Sequence, residues 1–333
     1  MQEKPPQGAI GSDSAEFMTT KVRKVDIDAE RSGQRIDNFL RTELPGVPKG
    51  RVYNLLRRGE VRVNGGRIRA EYKLQDGDMV RIPPVRIRVD GAPPSDKKAS
   101  EMLEHVIFED KRLLVINKPT GVAVHGGSGI SHGVIELLRH ARSDLKNLAL
   151  VHRIDRETSG CLVMAKRRSA LRELHERFRE GRVEKNYTAL VAGKWQLGDQ
   201  LIDAPLWTQN RENGERHVVV NSKNGKSAQT NVSLSQPYGD CSLMQCAPLT
   251  GRTHQIRVHL DHVEFPILGD YRYGDDEANG KAKKLGLRRL FLHAQSIAFP
   301  DDSGNEHHFT ATLAEDLDKF LRLCVKRKRR TRY

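Results

Sequence analysis

Nine consecutive residues, His152-Arg153-Ile154-Asp155-Arg156-Glu157-Thr158-Ser159-Gly160, set one short carboxylate between two guanidiniums. A nearby positive charge favours the charged form of an acid, so Asp155 is expected to be ionised at neutral pH. An ionised Asp can act as nucleophile or base, and Arg153 and Arg156 offer docking points for phosphate. An arbitrary Arg-x-Asp-Arg is more often a plain surface ion pair, because such pairs are common. Here Leu148, Leu150 and Val151 lead in and Cys161-Leu162-Val163-Met164 lead out. The acid is therefore expected at a strand-to-loop junction.

Other reactive side chains form weaker patterns. His254, His259 and His262 miss the spacing of zinc-binding helices, and no acidic partner stands at a matching offset, so no metal is expected. Cys161, Cys241, Cys246 and Cys324 form no CxxC pair, which leaves reduced, structural thiols as the expectation. No phosphate-binding loop or dinucleotide fingerprint occurs. Gly126-Gly127-Ser128-Gly129 reads as a flexible turn more readily than as a phosphate cradle.

The chain has 333 residues, long enough for two domains at roughly 100–200 residues each. Its formal net charge of +14 points to a polyanionic partner, without separating RNA from DNA or from an anionic membrane. No apolar run approaches the ~18–20 residues of a membrane span, and no signal-like segment opens the chain. A soluble, cytoplasmic protein is expected, with either Met1 or Met18 as natural start.

The elements that must position the chemistry follow from periodicity. Residues 1–31 are expected to be a disordered extension, rich in Pro, Gly and Ser at its start. Residues 32–90 form a first domain. Ile36, Phe39 and Leu40 mark one helix, and Val52, Leu55 and Leu56 mark a second. Val61-Arg62-Val63 and Arg67-Ile68-Arg69 read as a hairpin around Asn64-Gly65-Gly66. Between Gln34 and Asp90 stand 13 Lys and Arg against 7 Asp and Glu. Arg51, Arg57 and Arg58 lie off the second helix's apolar stripe, a basic face suited to RNA phosphates or an ordinary solvated surface.

Residues 91–104 are read as a polar linker, 105–324 as a second domain and 325–333 as a basic, disordered tail. Within the second domain, Thr253 is the expected N-cap of a helix carrying Ile256, Leu260 and Val263, with a strand as the alternative. Strands at mixed spacing suggest an α+β domain with a largely antiparallel sheet.

The first domain resembles the S4 RNA-binding domain through Arg35-Ile36-Asp37-Asn38-Phe39-Leu40, Gly59-Glu60-Val61-Arg62-Val63-Asn64-Gly65 and Gly77-Asp78-Met79-Val80. That resemblance implies structured RNA as partner. The second domain resembles the RluA-type pseudouridine synthases in four ordered motifs. They are Lys118-Pro119-Thr120-Gly121-Val122-Ala123-Val124-His125, the Asp155 segment with Leu162-Val163-Met164-Ala165-Lys166, Lys185-Asn186-Tyr187-Thr188-Ala189-Leu190-Val191, and Gly251-Arg252-Thr253-His254-Gln255-Ile256-Arg257-Val258-His259.

The resemblance implies conversion of uridine in RNA to its C-glycoside isomer, with no cofactor. Asp155 would be the catalytic carboxylate, attacking sugar or base or abstracting a sugar proton. Arg257 would pair with it, and Tyr187 would stack on the uracil and help move the C5 proton. Arg153 would brace the space left by an everted nucleotide, and Arg156, His125 and His254 would bind RNA. Gly33 to Arg41, Arg81 to Arg86, His125 to Gly129 and Arg289 to Ala294 are most similar to members acting on bacterial 23S rRNA. The implied partner is thus 23S rRNA or a large-subunit assembly intermediate, bound by a monomer. Another rRNA helix, tRNA, or a non-catalytic assembly role remain the alternatives.

Overall fold

The computed structural model describes residues 17–44, 46–88, 93–127, 130–210 and 216–330. The chain divides into two compact units, residues 1–93 and 94–333. Among the described residues no helix is long and apolar enough to cross a membrane.

The first unit runs β1 (Phe17–Thr19), β2 (Arg23–Asp26), α1 (Ile36–Glu43), α2 (Lys49–Arg57), β3 (Arg62–Val63), β4 (Met79–Ile82) and β5 (Arg86–Arg88). The apolar stripes of both helices are buried with Ile27, Val61, Val63, Val80 and Ile82 in one core. Pro48, with its φ pre-set near helical values, precedes α2, and Gly59 at φ +69 follows it. Arg51, Arg57 and Arg58 are all exposed.

Two expectations are corrected here. Composition predicts disorder through residue 31, yet β1 and β2 form strands and Ile27 is buried, because Val25 and Ile27 carry apolar surface that the polar average hides. Residues 1–16 lie outside the described residues. The expected hairpin is also different. The turn is real, with Asn64 at φ 49, but β3 pairs antiparallel with β4 and not with Arg67–Arg69. The Asn64 side chain accounts for this, since it donates to Asp78 at 2.8 Å and accepts from Met79 N at 2.8 Å, tying the turn to β4.

The second unit begins with α3 (Asp96–Leu103), β6 (Val106–Glu109), β7 (Leu113–Lys118), α4 (Val134–Ala141), β8 (Ala149–Leu150), β9 (Ser159–Ala165), α5 (Arg168–Arg179) and β10 (Glu184–Ala192). It continues through β11 (Gln200–Asp203), β12 (Leu206–Asn210), β13 (Arg216–Val220), β14 (Gln229–Tyr238), β15 (Cys241–Pro248) and α6 (Gln255–His262). It closes with α7 (Asp276–Lys284), β16 (Leu292–Pro300), β17 (Glu306–Thr310) and α8 (Glu315–Arg330). A ten-stranded mixed sheet runs β11-β14-β15-β10-β16-β9-β7-β6, with β17 beside β16 and β8 beside β9. Within it, only β9 and β16 pair in parallel.

Alternation along β7 and β9 builds two layers. Leu114, Ile116, Leu162 and Met164 pack with the Val134, Leu137 and Leu138 stripe of α4. Leu113, Val115, Cys161 and Val163 face the other way and pack with Ala170 and Leu174 of α5.

The linker reading is corrected as well: Asp96–Leu103 is helical, and Met102 joins the α4 core. Nor does the chain leave regular structure at 325. Leu317, Phe320 and Leu321 anchor α8 in the core, and Lys319–Glu315 and Arg322–Asp318 pairs brace its exposed side. Once nucleated, a helix extends cheaply through Lys and Arg, whose charge suits its C-terminal end.

Candidate active site

Asp155 sits in the loop between β8 and β9, where the sheet changes from antiparallel to parallel pairing. Strand register sets Lys118 of β7, Gly160 of β9, Ala294 of β16, Tyr187 of β10 and Cys246 of β15 in one row. A register shift between Asn186 and Tyr187 re-aims the tyrosine within that row. Gly160 has no alternative at this position: its φ is +112, and a Cβ there would lie 2.2 Å from Ala294 O.

The loop is clamped from below. Lys118, fully buried, donates to Pro119 O at 2.9 Å, Val122 O at 2.8 Å and Arg156 O at 3.2 Å. Gly121 N also donates to Arg156 O at 2.8 Å, and Thr120 Oγ1 donates to Glu157 O at 2.7 Å. Burial pushes the Lys118 ammonium down to about 7, opposed by Asp155 and Glu157. The three carbonyls favour its charged form. On the other side, His152 Nε2 accepts from Val163 N at 3.0 Å and its ring stacks on Phe178.

Two cavities meet at the acid. One, of 390 Å³, is lined by Asp155, Tyr187, Arg257, Arg153, His254 and Lys185 among others. The second, of 850 Å³, shares Arg153, Asp155, His254 and Arg257 and adds Arg156, Arg272, Arg288 and Arg289. The structure thus brings together Asp155, Tyr187, Arg257, Arg153, Arg156 and His254. His125 is exposed and lines neither cavity, and Arg51, Arg57 and Arg58 belong to the other unit. Ser128 and Gly129 of the glycine cluster lie outside the described residues.

The electrostatics differ from expectation in two respects. Arg257 lies 3.8 Å from Asp155 Oδ2, but its direct partner is Asp270, to which Nε and Nη2 donate at 2.7 and 2.8 Å. Asp270 is 1% exposed and also accepts from Arg272 N and Tyr273 N at 3.0 and 3.1 Å. Neither it nor Lys118 carries a role in the sequence reading. Asp270 stands thirteen residues beyond Arg257 across a turn, where no periodicity links the two.

Second, the Asp155 carboxyl is held above the ordinary carboxylate range. Burial raises it, while Arg257, Arg153 and Lys118 pull the other way. Among the described residues no hydrogen bond reaches its carboxylate oxygens. Burial and the charge of Asp155 likewise push the Tyr187 phenol above its usual range.

His254, not Thr253, precedes α6, in the left-handed region at φ 54. No side chain caps the helix; Gln255 instead ties down the preceding loop, its Oε1 accepting from Thr250 Oγ1 at 2.7 Å and Arg252 N at 3.0 Å. Tyr273 OH accepts from Val218 N at 3.1 Å and lies within hydrogen-bonding distance, 2.7 Å, of His254 Nδ1. Burial pushes His254 down to about 3, which keeps the ring neutral.

The RNA pseudouridylate synthase family matches residues 112–262, and the S4 domain family matches residues 34–80. A ribosomal large subunit pseudouridine synthase C from Pasteurella multocida is 50% identical over 304 residues, 90% of this chain and 93% of the relative. The protein of that name from Escherichia coli is 47% identical over 319 residues, 94% of this chain and 99% of the relative. The solved structure of human RNA pseudouridylate synthase domain containing 4 shares 28% identity at a TM-score of 0.58, covering 69% of this chain and 96% of its own. With an S4 domain ahead of its catalytic unit, the chain belongs to the RNA pseudouridylate synthase family.

Proposed function

We propose that this RNA pseudouridine synthase acts on large-subunit ribosomal RNA, with Asp155 as the carboxylate that performs the isomerisation. The names of the Pasteurella multocida and Escherichia coli relatives and the basic α2 face support the substrate. The observation that carries the assignment of Asp155 is its place between two cavities, 3.8 Å from Arg257 and facing the same space as Tyr187.

In the reaction the N1–C1′ bond breaks, the uracil turns, and a C5–C1′ bond forms. The C5 proton leaves and N1 gains one, so the balance needs no redox partner. Asp155 starts each of the three possible routes as a carboxylate: attack on the sugar, attack on the base, or abstraction of a sugar proton. Its raised pKa makes it a stronger base than an ordinary Asp. Arg257 sets a fixed positive charge opposite it, locked by Asp270. Tyr187, a neutral phenol at pH 7, suits stacking and hydrogen-bond donation better than action as a phenolate. Everting a base costs roughly a few kcal/mol. Arg153 is exposed and makes no hydrogen bond among the described residues, so its guanidinium is available to enter the vacated stack.

The test is tritium release from C5-labelled uridine in large-subunit rRNA. Asp155→Asn is expected to lower release by at least roughly 10³-fold, the scale of a positioned acid–base group, with RNA affinity little changed. Turnover at the wild-type rate would remove Asp155 from the chemistry. Unchanged large-subunit modification in cells lacking the gene would move the substrate to tRNA or another rRNA. Wild-type binding without any release would favour the assembly-factor reading.

A further inference from the structure

The larger of the two cavities is lined by six arginines: Arg153, Arg156, Arg257, Arg272, Arg288 and Arg289. Three of these are committed elsewhere. Arg257 is bound to Asp270, Arg289 donates to Asp316 and Ser159, and Arg156 donates to Gly121 O at 2.9 Å. Arg288 is exposed, and among the described residues no hydrogen bond or ion pair engages it. The same cavity is lined by Tyr271, a residue 62% exposed although it follows the buried Asp270.

That exposure is built, not accidental. Asp270 accepts from Arg257, Arg272 N and Tyr273 N through its carboxylate, and from Asn279 Nδ2 and Gly274 N through its carbonyl. Asn279 Oδ1 in turn accepts from Gly269 N at 2.7 Å. The turn carrying Tyr271 is therefore fixed on both sides. Gly269 lies so close to the backbone behind Arg288 that a Cβ there would sit 2.0 Å from Arg289 O. The two segments run side by side, each presenting one uncommitted side chain to the cavity.

We propose that Tyr271 and Arg288 form a nucleotide subsite beside the catalytic cleft, taking the RNA strand next to the everted uridine. Tyr271 stacks on a neighbouring base and Arg288 takes its phosphate. Stacking on aromatic rings with cationic contacts to the backbone is how single-stranded RNA is held. A pre-fixed ring loses little conformational freedom on binding. The proposal rests on the uridine-isomerase reading of the adjoining cleft and adds which part of the substrate is gripped there.

The experiment measures kcat and KM of tritium release from C5-labelled large-subunit rRNA by the full chain. Tyr271→Ala is expected to raise KM roughly tenfold, the scale of one lost base–aromatic stack, with a smaller change in kcat. Tyr271→Phe, which keeps the face, stays near wild type. Arg288→Ala reduces the steepness of the salt dependence of binding by about 0.7 in log–log slope. An unchanged KM for Tyr271→Ala, or a loss confined to kcat, or Phe as damaging as Ala, overturns the stacking role. An unchanged salt slope for Arg288→Ala overturns the phosphate role. A wild-type chain that releases no tritium from rRNA or tRNA overturns the isomerase reading and the subsite with it.

Discussion

Asp37 in the first unit and Asp155 in the second are both acids beside arginines, yet their surroundings act on them in opposite senses. Asp37 accepts from Arg35 Nε and Nη2, Asn38 N and Tyr53 OH at 2.8–3.1 Å. The Arg35 hydrogen bonds, aided by Tyr53, hold it at about 2. Asp155 accepts no side-chain or backbone hydrogen bond at its carboxylate among the described residues, and burial raises it. An acid whose acceptors are filled is spent on structure. One left unfilled inside a cavity is costly to the fold and free to react. Asp270 lies within the cleft but follows the Asp37 pattern, filled by Arg257 and two amides.

The contrast can be tested from its largest consequence downward. Asp270→Ala strips the partner from a guanidinium that is 5% exposed, and breaking such a pair costs about 3–5 kcal/mol. Urea denaturation reads this directly, and a cost below that of Asp37→Asn would contradict the structural role given to Asp270. Asp37→Asn is expected to cost about 1–2 kcal/mol near neutral pH, the worth of its charged hydrogen bonds. Its folded pKa is lowered, so this contribution is present above the ordinary Asp range and disappears as pH falls through about 2.

Asp155→Asn should do the reverse. A raised folded pKa means the acid favours the fold below its ordinary range and loses that benefit as pH rises through the folded value. The Asn variant is expected to gain up to about 1 kcal/mol at neutral pH relative to wild type, a gain that shrinks on acidification. Thermal unfolding across pH decides it, and a less stable variant at pH 7 would contradict the burial argument. The smallest effect belongs to the first unit's surface: Arg57→Ala should move stability by less than about 0.5 kcal/mol. The same change should flatten the salt dependence of RNA binding by about 0.7–0.9, whereas an unaltered slope would take α2 out of the RNA track.

Asp155, Tyr187 and Arg257 are legible as a candidate set because they stand in the dense local motifs that carry the resemblance, and the sheet register brings their strands and helix to one cavity. Helices with clear stripes, such as α1 and α2, are equally legible. Asp270 escaped because its partner lies across a turn, and pairing through turns leaves no period to read. The direction of the Asp155 shift escaped for a related reason: a string shows which charges are near in the chain, not how much water a fold removes. Thr253 satisfied the statistics of a helix cap, but Gln255 satisfied the loop, and tertiary hydrogen bonds overrode local preference. Residues 91–104 read as a linker and 325–333 as a tail, although α3 and α8 run into them, because composition averages over a helix's few anchoring side chains.

The clasp around Asp270 restricts how such a protein can be altered. Inserting or deleting even one residue between Gly269 and Gly274 would unseat Arg257 from Asp270, its two-pronged partner, whereas exchanging the outward side chains at 271 and 272 leaves the Asp270 clasp bonds in place. If the proposed subsite grips RNA here, its preferences change by swapping letters at constant length, and not by any change that alters the spelling's length.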